Sequence, residues 1–380
     1  MNEWRIHPLG VLRALLRPID PWLLLILVAL LGYSWVLMMS ASPERVATQR
    51  VHFAVALLAM WAVALVPPKR LLAGAVPLYL AGVVLLVGVL VFGESSKGAQ
   101  RWLSLGFARI QPSELMKIAL PLMLAWYFQQ REGMLQAADF IVAGILLAIP
   151  LGLIVVQPDL GTSLLVAAAG AYVLFFAGLS WKLIVPVALV SIAGMAAIVG
   201  FGDILCESGF DWHVLREYQK QRVCTLLDPT QDPLGKGFHI IQSTIAIGSG
   251  GLFGKGWMAG TQTHLAFIPE RHTDFIFSVL AEEFGMVGAM VLLAAYALLL
   301  LRGFMIAARA PTLGSRLLAG AVTMIIFTYA FVNMGMVSGI LPVVGVPLPF
   351  LSYGGTALVT LCIGIGMLMS IERSRQAAKE

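Results

Sequence analysis

Two charged residues, Glu114 and Lys117, lie three positions apart in the largely apolar stretch QPSELMKIAL. On a helix this spacing puts both side chains on one face, where they can pair. Two interpretations stay open. The pair is either an internal salt bridge that fixes helix packing, or its lysine faces a cavity and meets an anionic ligand.

Two aspartates stand at the start of other apolar runs. Asp159 in QPDLGTS has the position of a helix N-cap. Asp274 in PERHTDFIF follows Arg271 closely and can also be a cap. A carboxylate at the mouth of a membrane cavity would equally suit a general base or a metal ligand. Glu282 and Glu283 follow two turns later and point about 100° apart, so at most one shares a cavity with Asp274.

The segment 95–114 gathers Lys97, Arg101 and Arg109 around Trp102. Such residues are ordinary at a membrane interface. They also suit recognition of a lipid-linked phosphate or sugar, because arginine binds phosphate with a planar fork. The run GSGGLFGKG lacks the Walker pattern, since Lys255 is followed by glycine. It therefore predicts a turn whose backbone approaches another segment closely, after an amphipathic helix at IIQSTIAIGS.

Membrane-spanning helices must position these residues. The chain has 380 residues, of which 59% are hydrophobic and only 12% charged, and its mean hydropathy is +0.89. Soluble domains are charged at roughly a quarter of their positions. The composition excludes a disordered chain, a nucleic-acid-binding domain and an ordinary soluble enzyme. It predicts an all-α polytopic membrane protein.

Gaps between charges predict ten transmembrane helices. The expected spans are 21–43, 51–68, 71–93, 112–130, 140–158, 160–181, 183–202, 274–301 and two within 317–371, which GILPVVGVPLPFLSYGG divides at 339–355. Lys and Arg in the termini and four short loops orient the chain. We expect one membrane domain over 1–380, with a cytoplasmic N-terminus at 1–20, a large extracytoplasmic loop at 203–273 and a cytoplasmic C-terminus at 372–380. No cleavable signal peptide is expected.

Three cysteines are too few for a disulfide framework. We expect Cys206 and Cys224 to be free thiols, although they could bridge if their segment faces an oxidising space. Cys362 lies in an apolar span.

Six ordered motifs resemble the SEDS family (shape, elongation, division and sporulation). They are KGAQRWL, QPSELMKIA, QPDLGTS, DPLGKGFHIIQSTIAIGSGGLFGKGW, PERHTDFIF and GVPLPFLSYGGTAL, and the resemblance as a whole covers roughly residues 20–373. The run from GKGW to FIPERHTDFIF is more similar to the elongation members of the family than to its division members.

The resemblance implies a peptidoglycan glycosyltransferase of the bacterial cytoplasmic (inner) membrane that polymerises lipid II into glycan strands at the outer face. It implies a class B penicillin-binding protein, a transpeptidase, as partner, with other membrane proteins of the elongation complex and membrane lipid around it, and no nucleic acid. The family's essential aspartate corresponds to Asp274, and its charged pair to Glu114 and Lys117. Roles for Lys97, Arg101, Trp102 and Asp159 in substrate binding follow more loosely.

The donor sugar is α-linked to a diphosphate lipid and the product is β-linked, so one inverting displacement suffices. Asp274 is the candidate base, or the anchor of a divalent cation (Mg²⁺ or Mn²⁺) that would bind partly through substrate phosphates. Lys117, Arg101 and Arg271 are candidates for neutralising the departing diphosphate.

Two other classes stay open. A transporter that flips lipid II also needs intramembrane charges, but it should show an internal repeat and a site near the midplane. A noncatalytic scaffold for the transpeptidase predicts that Asp274 and Lys117 tolerate substitution.

Overall fold

The computed structural model describes residues 19–377 except 97–98, 105–108, 134, 203–205, 207–216, 232–234, 266 and 269. Lys97 and both chain ends therefore lie outside the described residues. The remainder is built mainly of helices, in agreement with the expected class.

Most of the described helices are long and apolar, and a few shorter helices lie between them. In chain order they are α1 Pro21–Ala41, α2 Val46–Leu65, α3 Pro68–Ala73, α4 Ala75–Phe92, α5 Pro112–Gln130, α6 Ala137–Val156, α7 Leu160–Phe176, α8 Trp181–Gly200, α9 Glu217–Leu227, α10 Lys236–Ser249, α11 Thr261–His264, α12 Ile276–Ala308, α13 Leu313–Val337 and α14 Gly355–Ala377. The long helices overlap the predicted spans, although several of their ends differ by a few residues.

Eight helices of the described chain are long and apolar enough to cross a membrane. Two of the predicted spans fall outside that set. Helix α7 has only 17 residues, and α5 carries Glu114 and Lys117 near its start. Both pack against α13 inside the bundle. The structure thus supports a polytopic helical protein, and the number ten stays a prediction.

Helix α13 is the centre of the bundle. Most of its residues are buried, including Tyr329 and Asn333, which have no exposed surface. It packs against α5, α7 and α12. Helix α8 is its opposite, because none of its residues is buried within the chain. Because α13 is surrounded by other helices, a polar residue on it has to find its hydrogen-bond partners inside the protein.

A small antiparallel sheet replaces the loop expected at 95–114. Its strands are β1 Glu94–Ser96, β2 Ala99–Ser104 and β3 Arg109–Ile110, paired in the order β1–β2–β3. Leu103 pairs with Ile110 across β2 and β3. The sheet fixes the backbone that carries Arg101 and Trp102, which sit on β2.

The expectation of free thiols in the large loop was wrong. Cys206 and Cys224 form a disulfide, whereas Cys362 is free and buried. The bond links the segment that follows α8 to helix α9 across 18 residues of sequence. Sequence spacing could not decide between the two states, because a bridge requires the two backbones to approach in space.

The glycine-rich turn does bring two backbones together, as its composition predicts. The amide of Lys255 donates to the carbonyl of Glu282 over 3.0 Å, and helix α12 departs from helical geometry at Gly285 (φ 63°). A Cβ on Gly254 would lie 2.1 Å from the carbonyl oxygen of Glu283. Only glycine fits there, since any side chain would clash with the kinked helix.

Candidate functional site

A polar cleft of about 210 Å³ opens at the end of the bundle where α5, α7 and α14 begin and the chain enters α12. Its wall brings together six of the predicted residues from four distant segments, which are Arg101, Trp102, Glu114, Lys117, Asp159 and Asp274. Because these helices point their amino ends towards the cleft, their dipoles favour an anionic ligand.

The pair on α5 is a salt bridge and also part of the cleft wall. Lys117 Nζ lies 2.5 Å from Glu114 Oε1 and donates to the Tyr329 hydroxyl over 2.6 Å. The lysine side chain is only 3% exposed and the glutamate 13%. The structure therefore shows the salt bridge and also places Lys117 at the cleft wall, and contact of Lys117 with an anionic ligand stays a prediction.

Asp159 forms a second polar group in the wall. It is the N-cap of α7, since its Oδ1 accepts a hydrogen bond from the amide of Thr162 at 3.2 Å. Its Oδ2 accepts from the Gln111 side chain at 3.0 Å and lies 3.7 Å from Arg101 Nε. Arg101 also donates to the carbonyl of Pro158. Asp159 thus orients Arg101 and Gln111 at the cleft.

Asp274 lines the cleft and lies one residue before the N-cap of α12. The N-cap position of α12 is Phe275, which makes no side-chain capping bond. The Asp274 carboxylate lies beside Gly345, where an added Cβ would be 3.4 Å from Oδ2. Gly345 has φ +77°, so this close approach depends on a backbone geometry that glycine adopts readily.

The remaining cationic candidates lie elsewhere. Arg271 is absent from the described cleft wall, and its Nε donates to the carbonyl of Ala41 over 2.7 Å. Lys97 is outside the described residues. Burial lowers the pKa of His272, and the neighbouring Arg45 acts in the same direction. His272 is therefore neutral near pH 7.

The adjacent glutamates of α12 have structural partners away from the cleft. Glu282 accepts from Lys255 at 2.8 Å and from the hydroxyls of Thr261 and Thr263. Glu283 accepts from the Ser40 hydroxyl. Both side chains are buried. Both glutamates therefore hold neighbouring segments together, and neither lies in the described cleft wall.

The donors of the site do not form a closed metal cage. Within the described chain, no three His, Cys, Asp or Glu side chains group closely enough to hold a metal ion. Asp159 and Glu114 are already engaged by Arg101, Gln111 and Lys117. A cation here would fit only as an ion shared between Asp274 and ligand phosphates, which is the way Mg²⁺ usually binds.

Sequence reasoning missed several residues of the wall, among them Gln111, Thr162, Thr273, Tyr353 and Thr356. Tyr353 was missed because its contacts are with residues that lie far from it in the sequence. Its ring lies 5.8 Å from that of His272, and Arg45 stacks over it at 5.4 Å. The motif around LSYGG was visible, but its sequence contains no titratable side chain besides the tyrosine.

The fold and this cleft define a class of protein. It is a multi-pass membrane protein in which charged residues from distant segments line one cleft at one end of a helical bundle. A protein family described as "Cell cycle protein" (FtsW, RodA, SpoVE) matches residues 19–377. The chain belongs to this family, which is the SEDS family that the six motifs resemble, and it is a multi-pass inner-membrane protein.

Two named relatives match most of the chain. "Peptidoglycan glycosyltransferase MrdB" of Escherichia coli K12 is 51% identical over 361 residues, which is 94% of each chain. "Peptidoglycan glycosyltransferase RodA" of Treponema pallidum is 35% identical and covers 76% of this chain and 80% of its own. The similarity to both agrees with the motif assignment.

Two solved structures share the fold. RodA of Thermus thermophilus is 32% identical, covers 94% of this chain and 97% of its own, and gives a TM-score of 0.69. A chain from a structure described as "Structural coordination of polymerization and crosslinking by a peptidoglycan synthase complex" is 36% identical, covers 94% and 98%, and gives 0.77. The predicted all-α polytopic architecture is confirmed.

Proposed function

We propose that this chain is a peptidoglycan glycosyltransferase that polymerises lipid II during cell elongation and maintenance of rod shape. The observation that carries the proposal is the convergence of Asp274, Lys117 and Arg101 on one cleft from distant parts of the sequence. The names of its relatives, which are themselves peptidoglycan glycosyltransferases, support the same reaction.

The reaction is a single displacement at the anomeric carbon of the donor sugar. The acceptor 4-hydroxyl oxygen forms the new bond while the bond to the lipid diphosphate breaks, and configuration inverts. Asp274 takes the proton of the acceptor hydroxyl as general base. Lys117, Arg101 and the helix amino ends around the cleft stabilise the negative charge that grows on the departing diphosphate.

A divalent cation, Mg²⁺ or Mn²⁺, is part of the proposal only as a shared ion. Asp274 would supply one protein ligand, and diphosphate oxygens would supply others. When bound, it would add positive charge at the leaving group.

We place the cleft and the loop 203–273 on the outer side of the membrane and both termini in the cytoplasm. The distribution of Lys and Arg supports this orientation. The disulfide between Cys206 and Cys224 supports it independently, because such bonds persist in the oxidising space outside the cytoplasm. Lipid II carried in the outer leaflet would then reach the cleft directly.

The proposed partner is a class B penicillin-binding protein that crosslinks the new strands. A structural neighbour belongs to a complex that coordinates polymerisation with crosslinking. The 36% identity over 94% of this chain supports a similar assembly here, together with other membrane proteins of the elongation complex.

The test is polymerisation of lipid II by the full-length chain with its partner. Asp274→Asn keeps the shape of the side chain and removes the base, so glycan synthesis should fall by at least about 10²-fold. Asp139→Asn is the matched control, since Asp139 is a buried carboxylate near the start of α6, at the opposite end of the bundle.

Normal polymerisation by Asp274→Asn would overturn the proposed role. Lipid II movement across vesicles without polymerisation would instead favour a transporter. Full tolerance of substitutions at both Asp274 and Lys117 would favour a scaffold.

A further inference from the structure

Three successive carbonyl groups lead into the cleft, and each accepts a hydrogen bond from another part of the fold. The carbonyl of His272 accepts from the amide of Tyr353 at 2.8 Å. The carbonyl of Thr273 accepts from the Ser352 hydroxyl at 2.6 Å. The carbonyl of Asp274 accepts from the Asn333 side-chain amide at 2.7 Å. The backbone around Asp274 is therefore held at every residue.

Asn333 ties this segment to the opposite wall of the cleft. Its side-chain nitrogen donates to the carbonyls of both Asp274 and Val346, each at 2.7 Å. The side chain has no exposed surface, so no water would replace a lost bond without cost. Val346 follows Gly345, the residue against which the Asp274 carboxylate lies. One amide group thus sets the spacing between the two walls.

Ser352 is itself fixed by the turn that carries it. Its hydroxyl accepts from the amide of Leu348 at 2.7 Å while donating to the carbonyl of Thr273. The Ser352 amide closes the same turn on the carbonyl of Leu348. With its side chain 5% exposed, the hydroxyl has one direction in which to donate.

We infer that Asn333 and Ser352 are positioning residues for glycosyl transfer, which act by orienting the Asp274 carboxylate in the cleft. The inference rests on the proposed role of Asp274 as base. Asp274 precedes the first residue of α12, so the regular hydrogen bonds of a helix do not fix its backbone. A displacement of about 1 Å at a reacting group can cost about 10²-fold in rate.

The same turn offers matched bonds that do not touch the carbonyls of 272–274. The Ser34 hydroxyl donates to the carbonyl of Leu351 at 2.7 Å, and the Tyr296 hydroxyl donates to that of Pro349 at 2.6 Å. Both are buried. They stabilise the turn as Ser352 does, so a purely structural role predicts equal effects for Ser34 and Ser352.

The experiment compares Ser352→Ala and Asn333→Leu with Ser34→Ala and Tyr296→Phe in the full-length protein with its partner. Initial rates of polymerisation are measured against lipid II concentration, and thermal unfolding is measured in the same detergent. We expect kcat to fall about 10- to 100-fold in the first two variants, with KM within twofold of the wild type. Ser34→Ala and Tyr296→Phe should keep kcat within about threefold.

Equal values of kcat for Ser352→Ala and Ser34→Ala would overturn the inference, as would a change in KM alone. Should Asn333→Leu fail to fold, the Ser352 and Ser34 pair decides by itself. Asp274→Asn is assayed in parallel. If it is active, the proposed function of Asp274 fails, whereas an inactive Asp274→Asn with fully active positioning variants refutes only the present inference.

Discussion

Substitutions in the salt bridge between Lys117 and Glu114 can separate the structural role of Lys117 from its proposed role in catalysis. Lys117→Met removes the cation but keeps similar length. It leaves the Glu114 carboxylate 13% exposed and without the ammonium group that lies 2.5 Å away, and it deprives the Tyr329 hydroxyl of its donor. Removing one member of a buried pair typically costs about 3–5 kcal/mol. Because Glu114 keeps some solvent contact, we expect about 3 kcal/mol.

The double variant Lys117→Met/Glu114→Gln makes the distinction. It replaces the ion pair with neutral groups of similar volume, and such replacements are often neutral in stability. We therefore expect thermal stability in detergent to recover to within about 1 kcal/mol of the wild type. Polymerisation should not recover, because the cation at the diphosphate is gone, and loss of one such group costs about 10²- to 10³-fold in rate.

Glu114→Gln alone is the control. It keeps the Lys117 cation and its bond to Tyr329, so its polymerisation rate should exceed that of the double variant. The assay is lipid II polymerisation at saturating substrate, with unfolding followed in parallel. If the double variant regains both stability and activity, Lys117 serves only packing and the proposed contact with the diphosphate is refuted.

Two further predictions concern the scaffold. Gly254→Ala should lower the unfolding temperature more than Gly251→Ala. Both glycines have positive φ, but of the two only Gly254 has a neighbour where a Cβ would lie, the carbonyl oxygen of Glu283 at 2.1 Å. Equal shifts of the two unfolding temperatures would contradict this close contact. Arg302→Leu should lower the free energy of unfolding by about 3–5 kcal/mol, since Arg302 pairs with the buried Asp20. Arg316→Leu, at an exposed position, is the control. If chemical unfolding shows that Arg302→Leu loses no more free energy of unfolding than Arg316→Leu, the prediction is contradicted.

The helices could be predicted from the sequence because charge is scarce. The predicted span 112–130 and the observed helix Pro112–Gln130 coincide. At other helices the predicted and observed ends differ. The span predicted over 160–181, for example, is a helix only as far as Phe176. Gly178 adopts φ +98° just beyond it, a conformation that stops a helix. A gap between charges does not detect such a glycine, so the predicted span runs past the end of this helix.

The positioning residues could not be predicted in the same way. Asn333 lies in a charge-free run of 55 residues, where the spacing of charges alone makes it part of a predicted span. A polar side chain at membrane depth does signal a function. Its partner is nonetheless a backbone carbonyl on another segment, and carbonyls carry no signature in the sequence.

Asp159 and Asp274 show why the fold is needed to assign roles. In the sequence both are aspartates at the start of an apolar run, and both have the signature of a cap. In the structure Asp159 binds the amide of Thr162 in the first turn of α7, which commits one carboxylate oxygen to the helix. Helix α12 instead begins after Phe275, so the bonds that hold Asp274 in place include one to its carbonyl. A hydrogen bond to the carbonyl of Asp274 fixes the backbone that carries its carboxylate, and a base has to be held at a defined position to act.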